Sequence, residues 1–437
     1  MMNQAIFYTR LLYILIGCLA FTGCGRGEPP TPTPEPVTLS LITIDDEFAA
    51  EGEVIDQFQT DHPHIQISRQ GYNQFPQQYL VASEPPDIMA IGPSSILFSA
   101  GRQGLLTDLT DLWAQSGLYE SYPDSFRAMS EADGKQFFLP MAYSWAGFYY
   151  NPKIFDQYGL VPPETWDEFM LLADTLKSNG VTPLALAGES PFSSAIWFDY
   201  LNLRLNGPTF HGHLIRGQES YLDARVRTVF ETWTLLILNE YFHRGMTNMS
   251  DFDALSTIIE GPNGPISSRP AGMVLADPLA LVNIPESLRN QVGFFPFPIM
   301  DSTLPVGESI LVLGYMVPSG ALHVEEAIEF LSYMGQAEIQ DQLYRPSEEN
   351  LVYAPVRATD PSQYSEEIQR RMSVVLDADQ IEMPYFLGNP PTMQVVLTTA
   401  LPQFLREAEN GTVNIDEILD QLETGRESAL AQGEFVE

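Results

Sequence analysis

The chain has 437 residues, of which 44% are hydrophobic, and 57 acidic against 21 basic side chains give it a formal net charge of −36. At about 150 residues per domain, this length corresponds to two or three compact units. The composition excludes collagen, a long coiled coil and a disulfide-stapled miniprotein. Because the chain has only three lysines and no basic cluster, it lacks the surface that binds nucleic acid, and its field favours a neutral or cationic ligand.

The first residues have the pattern of an export signal. Arg10 precedes an apolar run over 11–21, which is too short to span a bilayer but has the length of a signal-peptide core. The run ends in Phe21-Thr22-Gly23-Cys24, which resembles a bacterial lipobox. We therefore predict a lipoprotein signal peptide over 1–23 and lipid modification of Cys24. Cys18 is an alternative site, but it leaves a shorter apolar core.

Residues 24–36 are predicted to form a tether. Most of this segment is the proline-rich run EPPTPTPEP over 28–36, which favours extended polyproline II and makes a semi-rigid spacer. After cleavage before Cys24 no second cysteine remains, so no disulfide can form. The protein is therefore expected outside the cytoplasm, anchored to the cell membrane through lipid and held away from it by the spacer.

After the tether, the sequence alternates between strand and helix patterns. Val37, Leu39 and Leu41 alternate with polar residues as in a strand, a helix is predicted over 53–60, and a second strand over 65–67. Strands that alternate with helices predict an α/β fold with a mostly parallel sheet.

Two later helices are predicted from the capping residues at their N-termini. Thr165 and Glu168 form a capping-box pattern that starts a helix ending at Gly180, and Asn414 with Glu417 repeats the pattern near the C-terminus. Two further helices are predicted over 325–334 and 392–409, and loops over 206–208, 261–270 and 384–391.

The sequence contains no motif of a common enzyme or nucleotide site: it has no phosphate-binding loop, dinucleotide fingerprint, zinc-protease motif or nucleophile elbow. His62 with His64 and His211 with His213 form two H-x-H pairs, but neither has a nearby third ligand. They are therefore predicted to be loop histidines, and no metal or cofactor is predicted. The carboxylate pair of a glycoside hydrolase is defined by distance in space, so the sequence leaves that activity open.

Tyr149 and Tyr150 are adjacent, as are the iron-ligating tyrosines of some periplasmic iron-binding proteins. They lie in a strand-like context, in which neighbouring side chains go to opposite faces. One of the two is therefore expected in the core, which argues against a shared iron site.

Several segments resemble a known family when they are taken in order. They are GKQFFLP over 134–140, FYYNPKIF over 148–155 and GLVPPETWDEF over 159–169, together with PDI over 86–88, GLLTDL over 104–109, AGM over 271–273, GFFP over 293–296 and EAIEFL over 326–331. The chain resembles family 1 extracellular solute-binding proteins of ABC importers, the maltose-binding-protein-like group, over nearly all of residues 37–437.

The resemblance implies the type II periplasmic-binding-protein fold, in which two α/β lobes are joined by hinge strands and enclose a ligand cleft. It places lobe 1 at 37–143 plus 294–348 and lobe 2 at 148–291 plus 352–437. A ligand that contacts both lobes binds the closed state more tightly than the open one, so it shifts the population toward closure.

The resemblance also indicates ligand-binding residues. Tyr143 and Trp145 lie where the family chain crosses between lobes and are expected to offer aromatic faces to a sugar, with hinge packing as the alternative. Phe192 and Trp197 lie in a segment where relatives present aromatics, although a core role for Trp197 fits equally well. Asp199 is expected to accept hydrogen bonds from sugar hydroxyls.

Three further positions complete the predicted site. Ser94 takes a cleft position in the loop after the PDI segment. Asp277 stands where relatives have a glycine, and Leu279 replaces their stacking tryptophan. Tyr385 precedes the helix in which relatives present a last aromatic, a region held here by Met393. These departures indicate a pocket rebuilt for a different glycan or for a ligand other than a sugar.

The sequence thus predicts a non-enzymatic, monomeric substrate-binding component of an ABC importer. It would capture a small neutral solute, first of all a mono- or oligosaccharide, and deliver it to the permease in the membrane. An extracytoplasmic glycoside hydrolase and a polyamine- or metal-binding carrier on the same fold remain as alternatives.

Overall fold

A computed structural model describes residues 35–43, 49–92, 95–261, 264–289, 291–344, 353–356, 362 and 364–435. The predicted signal peptide, Cys24, most of the tether and Ser94 lie outside the described residues. Within these ranges, no helix combines the length and the apolar composition that a membrane span needs.

The described strands are β1 Val37–Thr43, β2 Ile65–Gly71, β3 Ile88–Ile91, β4 Glu131–Ala132, β5 Lys135–Gln136, β6 Leu139–Trp145, β7 Gly147–Tyr150, β8 Thr182–Ala185, β9 Glu260–Gly261, β10 Gly264–Pro265, β11 Ala271–Ala276, β12 Gly293–Phe295, β13 Gly307–Met316 and β14 Gln380–Glu382. The described helices are α1 Ala49–Asp61, α2 Pro76–Leu80, α3 Ser95–Arg102, α4 Thr110–Gln115, α5 Leu118–Ser121, α6 Asp124–Met129, α7 Pro152–Tyr158, α8 Trp166–Ser178, α9 Pro191–Ile215, α10 Ala224–Leu238, α11 Asp251–Ser256, α12 Glu286–Arg289, α13 Val324–Met334, α14 Ala337–Leu343, α15 Glu366–Leu376, α16 Tyr385–Gly388, α17 Pro391–Glu409 and α18 Ile415–Ala431. Two short 3-10 helices lie at Met246–Asn248 and Pro278–Asn283.

The first β-α-β unit forms as its sequence predicts. β1 and β2 pair in parallel from Val37 opposite Ile65 to Thr43 opposite Gly71. Val54, Ile55 and Phe58 of α1 are buried in the core beside this pair, because residues three and four apart on a helix share a face. Local hydrophobic periodicity was sufficient to specify this unit.

Lobe 1 is built on a sheet with the strand order β14-β13-β3-β1-β2, in which β6 also pairs with β13. The pairs β1/β2, β1/β3 and β13/β14 are parallel, whereas β13 runs antiparallel to β3 and β6. Its core holds the fully buried Phe58, Trp113, Phe126 and Phe138.

Lobe 2 is built on a smaller sheet with the strand order β12-β7-β11-β8. β11 and β8 are parallel, and β7 is antiparallel to both β11 and β12. Helices α8, α9, α10, α17 and α18 contribute most of a core that includes Trp197, Trp233 and Phe404.

Over the residues that the structure describes, the chain passes between the lobes three times: at 145–147, at 297–307 and at 382–385. The second and third crossings lie later in the chain than the lobe bounds drawn from the sequence. β12 pairs with β7, so 293–297 belongs to the lobe 2 sheet, and only the Phe294 side chain also packs against the lobe 1 core. β14 pairs with β13, and Tyr353, Ile368 and Val375 lie in the lobe 1 core, so the described residues from 353 to 382 belong to lobe 1 and not to lobe 2.

Two helix ends with the same sequence pattern differ in structure. At α8 the Thr165 side chain accepts from the Glu168 backbone N–H, and the Glu168 carboxylate accepts from the Thr165 N–H. At α18 the Asn414 side chain makes no capping bond, so the predicted box is absent there. Capping needs a particular side-chain rotamer in addition to the residue pattern.

The predicted loop over 206–208 lies inside α9. The helix continues across a kink at Gly207, where φ is 80°, a value that suits glycine, and Pro208 begins the next turn. The predicted loop over 384–391 contains α16, and that over 261–270 contains the second strand of the β9/β10 hairpin.

Candidate functional site

The carboxyl ends of the strands in the two lobes meet at the first crossing. In lobe 1, β1, β2, β3 and β6 run in the same direction and end at one edge of the sheet. In lobe 2, β8, β11 and β12 also end at one edge, where β7 begins at Gly147. β6 ends at Trp145, two residues before Gly147, so these two edges face each other. Ligands of α/β sheets bind at such edges.

A hydrogen bond joins the lobes at this point. Ser144 of β6 donates from its Oγ to Asp277 Oδ2 at 2.7 Å, across 133 residues of sequence. Asp277 directly follows β11 and is 7% exposed, and Ser144 is 1% exposed. A carboxylate at the junction of two lobes can accept hydrogen bonds from a ligand that lies between them.

Aromatic and cationic side chains lie beside this bond. Phe294 of β12 packs against the cores of both lobes, and its ring centre is 5.2 Å from that of Tyr149. The Arg371 guanidinium of α15 lies 4.5 Å from the centre of the Phe294 ring, a cation–π distance that joins lobe 1 to lobe 2. With Tyr353, these residues and the Ser144–Asp277 pair form what we call the crossing cluster: Ser144, Tyr149, Asp277, Phe294, Tyr353 and Arg371.

The electrostatics of the cluster keep Tyr149 neutral. Burial raises the pKa of Tyr149 well above its ordinary value, and nearby Tyr353 and Asp277 raise it further, while Arg371 lowers it. A neutral phenol donates and accepts hydrogen bonds, as hydroxyl recognition requires. Tyr150 goes to the opposite face, where its ring lies 4.1 Å from that of Phe155. The two tyrosines are thus separated, as the strand pattern predicts.

The two aromatics predicted at the first crossing are buried in the lobe 1 core, where each packs against a member of this cluster. Trp145 is 1% exposed, its ring centre lies 5.2 Å from that of Phe294, and its Nε1 donates to Glu308 Oε2 at 2.8 Å. Tyr143 is 1% exposed and packs between Phe126 and Tyr353. Within the described residues, the Tyr143 hydroxyl has no hydrogen-bond partner.

Three predicted ligand residues lie in the core of lobe 2. Trp197 has no exposed surface, and its ring contacts those of Trp233 and Phe242. Asp199 has none either, and its carboxylate accepts from the backbone N–H of Tyr385 at 2.9 Å. Tyr385 is 1% exposed. Asp199 and Tyr385 meet each other, whereas Trp197 packs among other aromatic rings. Trp197 and Asp199 lie on α9 and Tyr385 begins α16, and all three side chains are buried inside the lobe.

Phe192 occupies a position compatible with its prediction. It is half-buried in the first turn of α9, which follows β8, and β8 ends at the same edge as β11. Ser190 caps this helix by accepting from the Ser193 N–H at 3.2 Å. Phe192 and Asp277 are therefore the two predicted ligand residues that lie at the facing edge of lobe 2.

Sequence reasoning named only Asp277 of the crossing cluster as a ligand residue, and it considered Tyr149 for iron alone. It missed the other four members: Ser144, Phe294, Tyr353 and Arg371. Phe294 lies in the GFFP segment that contributed to the family resemblance, and this was a signal that could have identified it. Tyr353 and Arg371 had no such signal, because their segment was assigned to the other lobe. Their position depends on β14 joining the lobe 1 sheet.

A cavity of about 1110 Å³ lies elsewhere between the lobes. The carboxylates of Asp124, Asp377 and Glu382 line it together with Arg102 and Arg216. Among the residues that the structure describes, neither the crossing cluster nor a predicted ligand residue contributes to its walls. Its chemistry is therefore separate from that of the facing sheet edges.

The two histidine pairs differ in their outcome: His62 and His64 lie in the turn between α1 and β2, as predicted, whereas the second pair lies on a helix. His211 and His213 lie on α9 and not in a loop. His211 is fully buried, with its Nε2 3.0 Å from Asp199 Oδ1, and Asn202 donates to its Nδ1 at 2.9 Å. His62 follows α1 and contacts Glu329. In the part of the chain that the structure describes, no three His, Cys, Asp or Glu side chains come together as a metal site requires.

Comparison with known proteins identifies the family. The sequence profile described as bacterial extracellular solute-binding protein matches residues 43–341. An uncharacterized ABC transporter extracellular-binding protein of Pyrococcus horikoshii is 23% identical over 356 residues, which cover 76% of this chain and 77% of that protein. The melibiose/raffinose/stachyose-binding protein of Bacillus subtilis is 26% identical over 204 residues, which cover 44% and 45%.

Solved structures show the same fold. The bacterial solute receptor AcbH, which its structural description assigns an exclusive preference for β-D-galactopyranose, superposes with a TM-score of 0.76 at 20% identity, over 91% of this chain and 98% of that one. The two-lobed fold predicted from the sequence is confirmed by this likeness.

Proposed function

Because this chain belongs to the family of bacterial extracellular solute-binding proteins, we propose that it is the substrate-binding component of an ABC importer that captures a sugar and delivers it to a permease. The family and the relatives named above are binding proteins. We propose that this chain likewise has no enzymatic activity, acts as a monomer and needs no cofactor.

One observation carries the proposal: the carboxyl edges of the two sheets face each other and are linked by the Ser144–Asp277 hydrogen bond. A solute between these edges contacts both lobes and is sealed when they close, so its binding free energy favours the closed state. Micromolar affinity, about −8 kcal/mol, is sufficient for capture and still permits release to a permease.

The chemistry of the facing edges supports a sugar. Sugars need polar groups for their hydroxyls and flat aromatic faces for their C–H surfaces. Asp277, Arg371 and the neutral Tyr149 supply the first, and Phe294 and Phe192 supply the second. The printed names of relatives also point to sugars, since they specify melibiose, raffinose and stachyose and β-D-galactopyranose.

We therefore place the ligand contacts at Asp277 and Phe192, with Trp145 and Tyr143 as the wall behind them. Ser94 remains part of the proposed site. Trp197, Asp199 and Tyr385 are assigned to support from within lobe 2, because their side chains are fully engaged in its core. A sugar contact by these three would require the core to open.

A thermal-shift screen tests the ligand class. The purified protein is heated with galactose, melibiose, raffinose, chitin oligosaccharides, spermidine and ferric ion in separate samples. A ligand at 100 times its Kd adds about 2.7 kcal/mol of stability. We expect a rise in Tm of a few degrees with at least one sugar and none with spermidine or ferric ion.

Asp277→Asn and Phe192→Ala test the location. Both should reduce the sugar-dependent shift, and the loss of one charge-assisted hydrogen bond corresponds to an affinity about 10-fold to 100-fold lower. Asp87→Asn is the matched control, because Asp87 is also buried and accepts from a serine, Ser40 Oγ at 2.8 Å, but within lobe 1 alone. It should lower the Tm and leave the sugar-dependent shift intact.

The alternatives give different results. A shift with spermidine or ferric ion alone would replace the sugar carrier by a polyamine or metal carrier. Turnover of nitrophenyl glycosides by the purified protein would support a glycoside hydrolase, and this activity should then depend on a pair of carboxylates. Unchanged binding in both Asp277→Asn and Phe192→Ala would remove the proposed site.

We also propose that Cys24 carries a lipid anchor. The support is the lipobox-like Phe21-Thr22-Gly23-Cys24 after an apolar run. In cells fed a radiolabelled fatty acid, the wild type and Cys18→Ser should be labelled and found in the membrane fraction. Cys24→Ser should be unlabelled. Labelling that is lost in Cys18→Ser and kept in Cys24→Ser would move the anchor to the other cysteine.

A further inference from the structure

One stretch of α9 contacts all three crossings between the lobes. Residues 199–204 lie in lobe 2, and none of them is more than 4% exposed. Three side chains in this stretch, those of Asp199, Tyr200 and Arg204, make the contacts. They project from about one and a half turns of a single helix.

Tyr200 holds the first crossing. Its hydroxyl lies 2.8 Å from the carbonyl oxygen of Ala146, to which it donates, and 3.4 Å from that of Ser309 in β13. Ala146 is the residue between β6 and β7. Tyr200 thus links the first crossing to the strand that begins after the second.

Arg204 holds both ends of the second crossing. Its Nη1 donates to the carbonyl oxygen of Gly307 at 2.5 Å, and its Nε and Nη2 face that of Phe297 at 3.4 and 3.3 Å. Its Nη2 also donates to Glu308 Oε1 at 2.5 Å, with Arg204 4% and Glu308 1% exposed. Glu308 accepts from Trp145 as well, so the first two crossings share one carboxylate.

Asp199 holds the third crossing. Its carboxylate oxygens lie 2.9 and 3.1 Å from the backbone N of Tyr385, where the chain returns to lobe 2.

Atoms of α9 also pack closely against the end of the second crossing. A Cβ on Gly307 would lie 2.5 Å from Pro208 Cβ and 3.1 Å from Leu203 Cδ2 of the same helix.

We propose that residues 199–204 of α9 are the pivot of lobe closure, and that Arg204 is a positioning residue that fixes lobe 1 relative to lobe 2. A guanidinium has five donors in a rigid fork, so it can hold Phe297, Gly307 and Glu308 at once. Lobes that turn about this fixed stretch sample a narrow range of angles. When the binding-competent arrangement is less populated, the apparent affinity falls in proportion.

This inference rests on the proposed function only where it predicts a lower apparent affinity, because the effect of the pivot on lobe motion can be measured without ligand. Arg204→Lys keeps the charge and loses the fork. Arg426→Lys is the matched control, since Arg426 is also largely buried and bonds a carboxylate, Glu423, and a carbonyl, Gly217, but entirely within lobe 2.

Hydrogen exchange and small-angle scattering of the ligand-free protein test the pivot. In Arg204→Lys we expect amides over 145–148 and 307–310 to exchange about fivefold to tenfold faster, since local opening tracks the lost bonds. We also expect the radius of gyration to rise. Arg426→Lys should change exchange near 217–221 and 423–426 and leave the radius of gyration unchanged.

Tyr200→Phe is the second variant, because it keeps the ring and removes only the hydroxyl. It should accelerate exchange at 145–148, whereas Tyr241→Phe, which removes a bond to Asp174 inside lobe 2, should not. If Arg204→Lys and Tyr200→Phe leave exchange at the crossings and the radius of gyration as in the wild type, the pivot is rejected. A protein that binds no sugar but shows these changes would reject the proposed function alone.

Discussion

The carboxylate of Asp199 has no exposed surface, and it lies against the Tyr385 backbone N–H and the His211 ring. Burial raises the pKa of Asp199 above its ordinary 3.8, while His211 and the Tyr385 amide lower it in part. The folded state therefore keeps a proton on this group at pH values where the unfolded chain has lost it. Its contribution to stability is present below pH 3.8 and is lost as the pH rises through the folded-state pKa.

Asp199→Asn should remove this pH dependence. We expect the free energy of unfolding of the wild type minus that of the variant to decrease as the pH rises from about 4. Urea unfolding between pH 4 and pH 7 measures it. A difference that is constant over this range would show that burial does not control the group.

Asp223→Asn is a control of opposite sign. The hydrogen bond from Arg225 holds the pKa of Asp223 below its usual value, so this group contributes stability above its unfolded pKa and loses it as the pH falls. Its wild-type minus variant difference should therefore increase with pH, and urea unfolding between about pH 2 and pH 5 covers the range in which it changes.

A second residue-scale feature is the close approach of Gly307 to α9. A Cβ on Gly307 would lie only 2.5 Å from Pro208 Cβ, which is closer than two carbon atoms can pack. Gly307→Ala should therefore destabilise the protein by about 1–3 kcal/mol. Gly52→Ala is the control, because nothing lies within 4 Å of that Cβ and the site is helical, and it should stabilise by about 0.5–1 kcal/mol. Urea midpoints compare the two; equal effects would contradict the packing argument.

At the scale of elements, the two helix starts with the same sequence pattern give a direct test. Thr165→Ala removes a bond that α8 makes, so it should cost about 0.5–1 kcal/mol. Asn414→Ala removes no capping bond from α18, so it should change stability by less than about 0.5 kcal/mol. Equal losses in thermal or urea unfolding would mean that Asn414 caps its helix in solution.

The crossings are also features of elements and not of single residues. β12 and β14 are three residues long, and each decides to which lobe a much longer segment belongs. A short strand has too few residues to show a periodicity, so its sheet partner is selected by the surface it meets. This is why two of the three crossings lie later in the chain than the sequence predicts.

At the scale of the whole molecule, the net charge of −36 opposes the compact state. Folding brings carboxylates closer together than they are in the unfolded chain, and salt screens their repulsion over about 10 Å at 0.1 M. We expect the Tm to rise by a few degrees between 10 mM and 150 mM NaCl. KCl should give the same rise, since the effect depends on ionic strength. A Tm that falls with salt would mean that ion pairs outweigh the repulsion.

The sequence by itself determined the family, the two-lobed α/β fold and most of the longer elements. These features lie in contiguous residues: the alternation in β1, the box at Thr165 and the ordered family segments. The ligand contacts at Asp277 and Phe192 stay predictions that the binding experiments test. Local pattern and local spacing are sufficient for such features.

Only the tertiary structure decided which side chains lie between the lobes. Ser144 meets Asp277 across 133 residues, and Asp199 meets Tyr385 across 186. Trp197 and Asp199 have residue types suited to a sugar, yet the packing of α9 against two sheets buries them. The burial of a side chain and its hydrogen-bond partners depend on contacts between residues far apart in the chain. Such contacts produce no periodic pattern in the sequence.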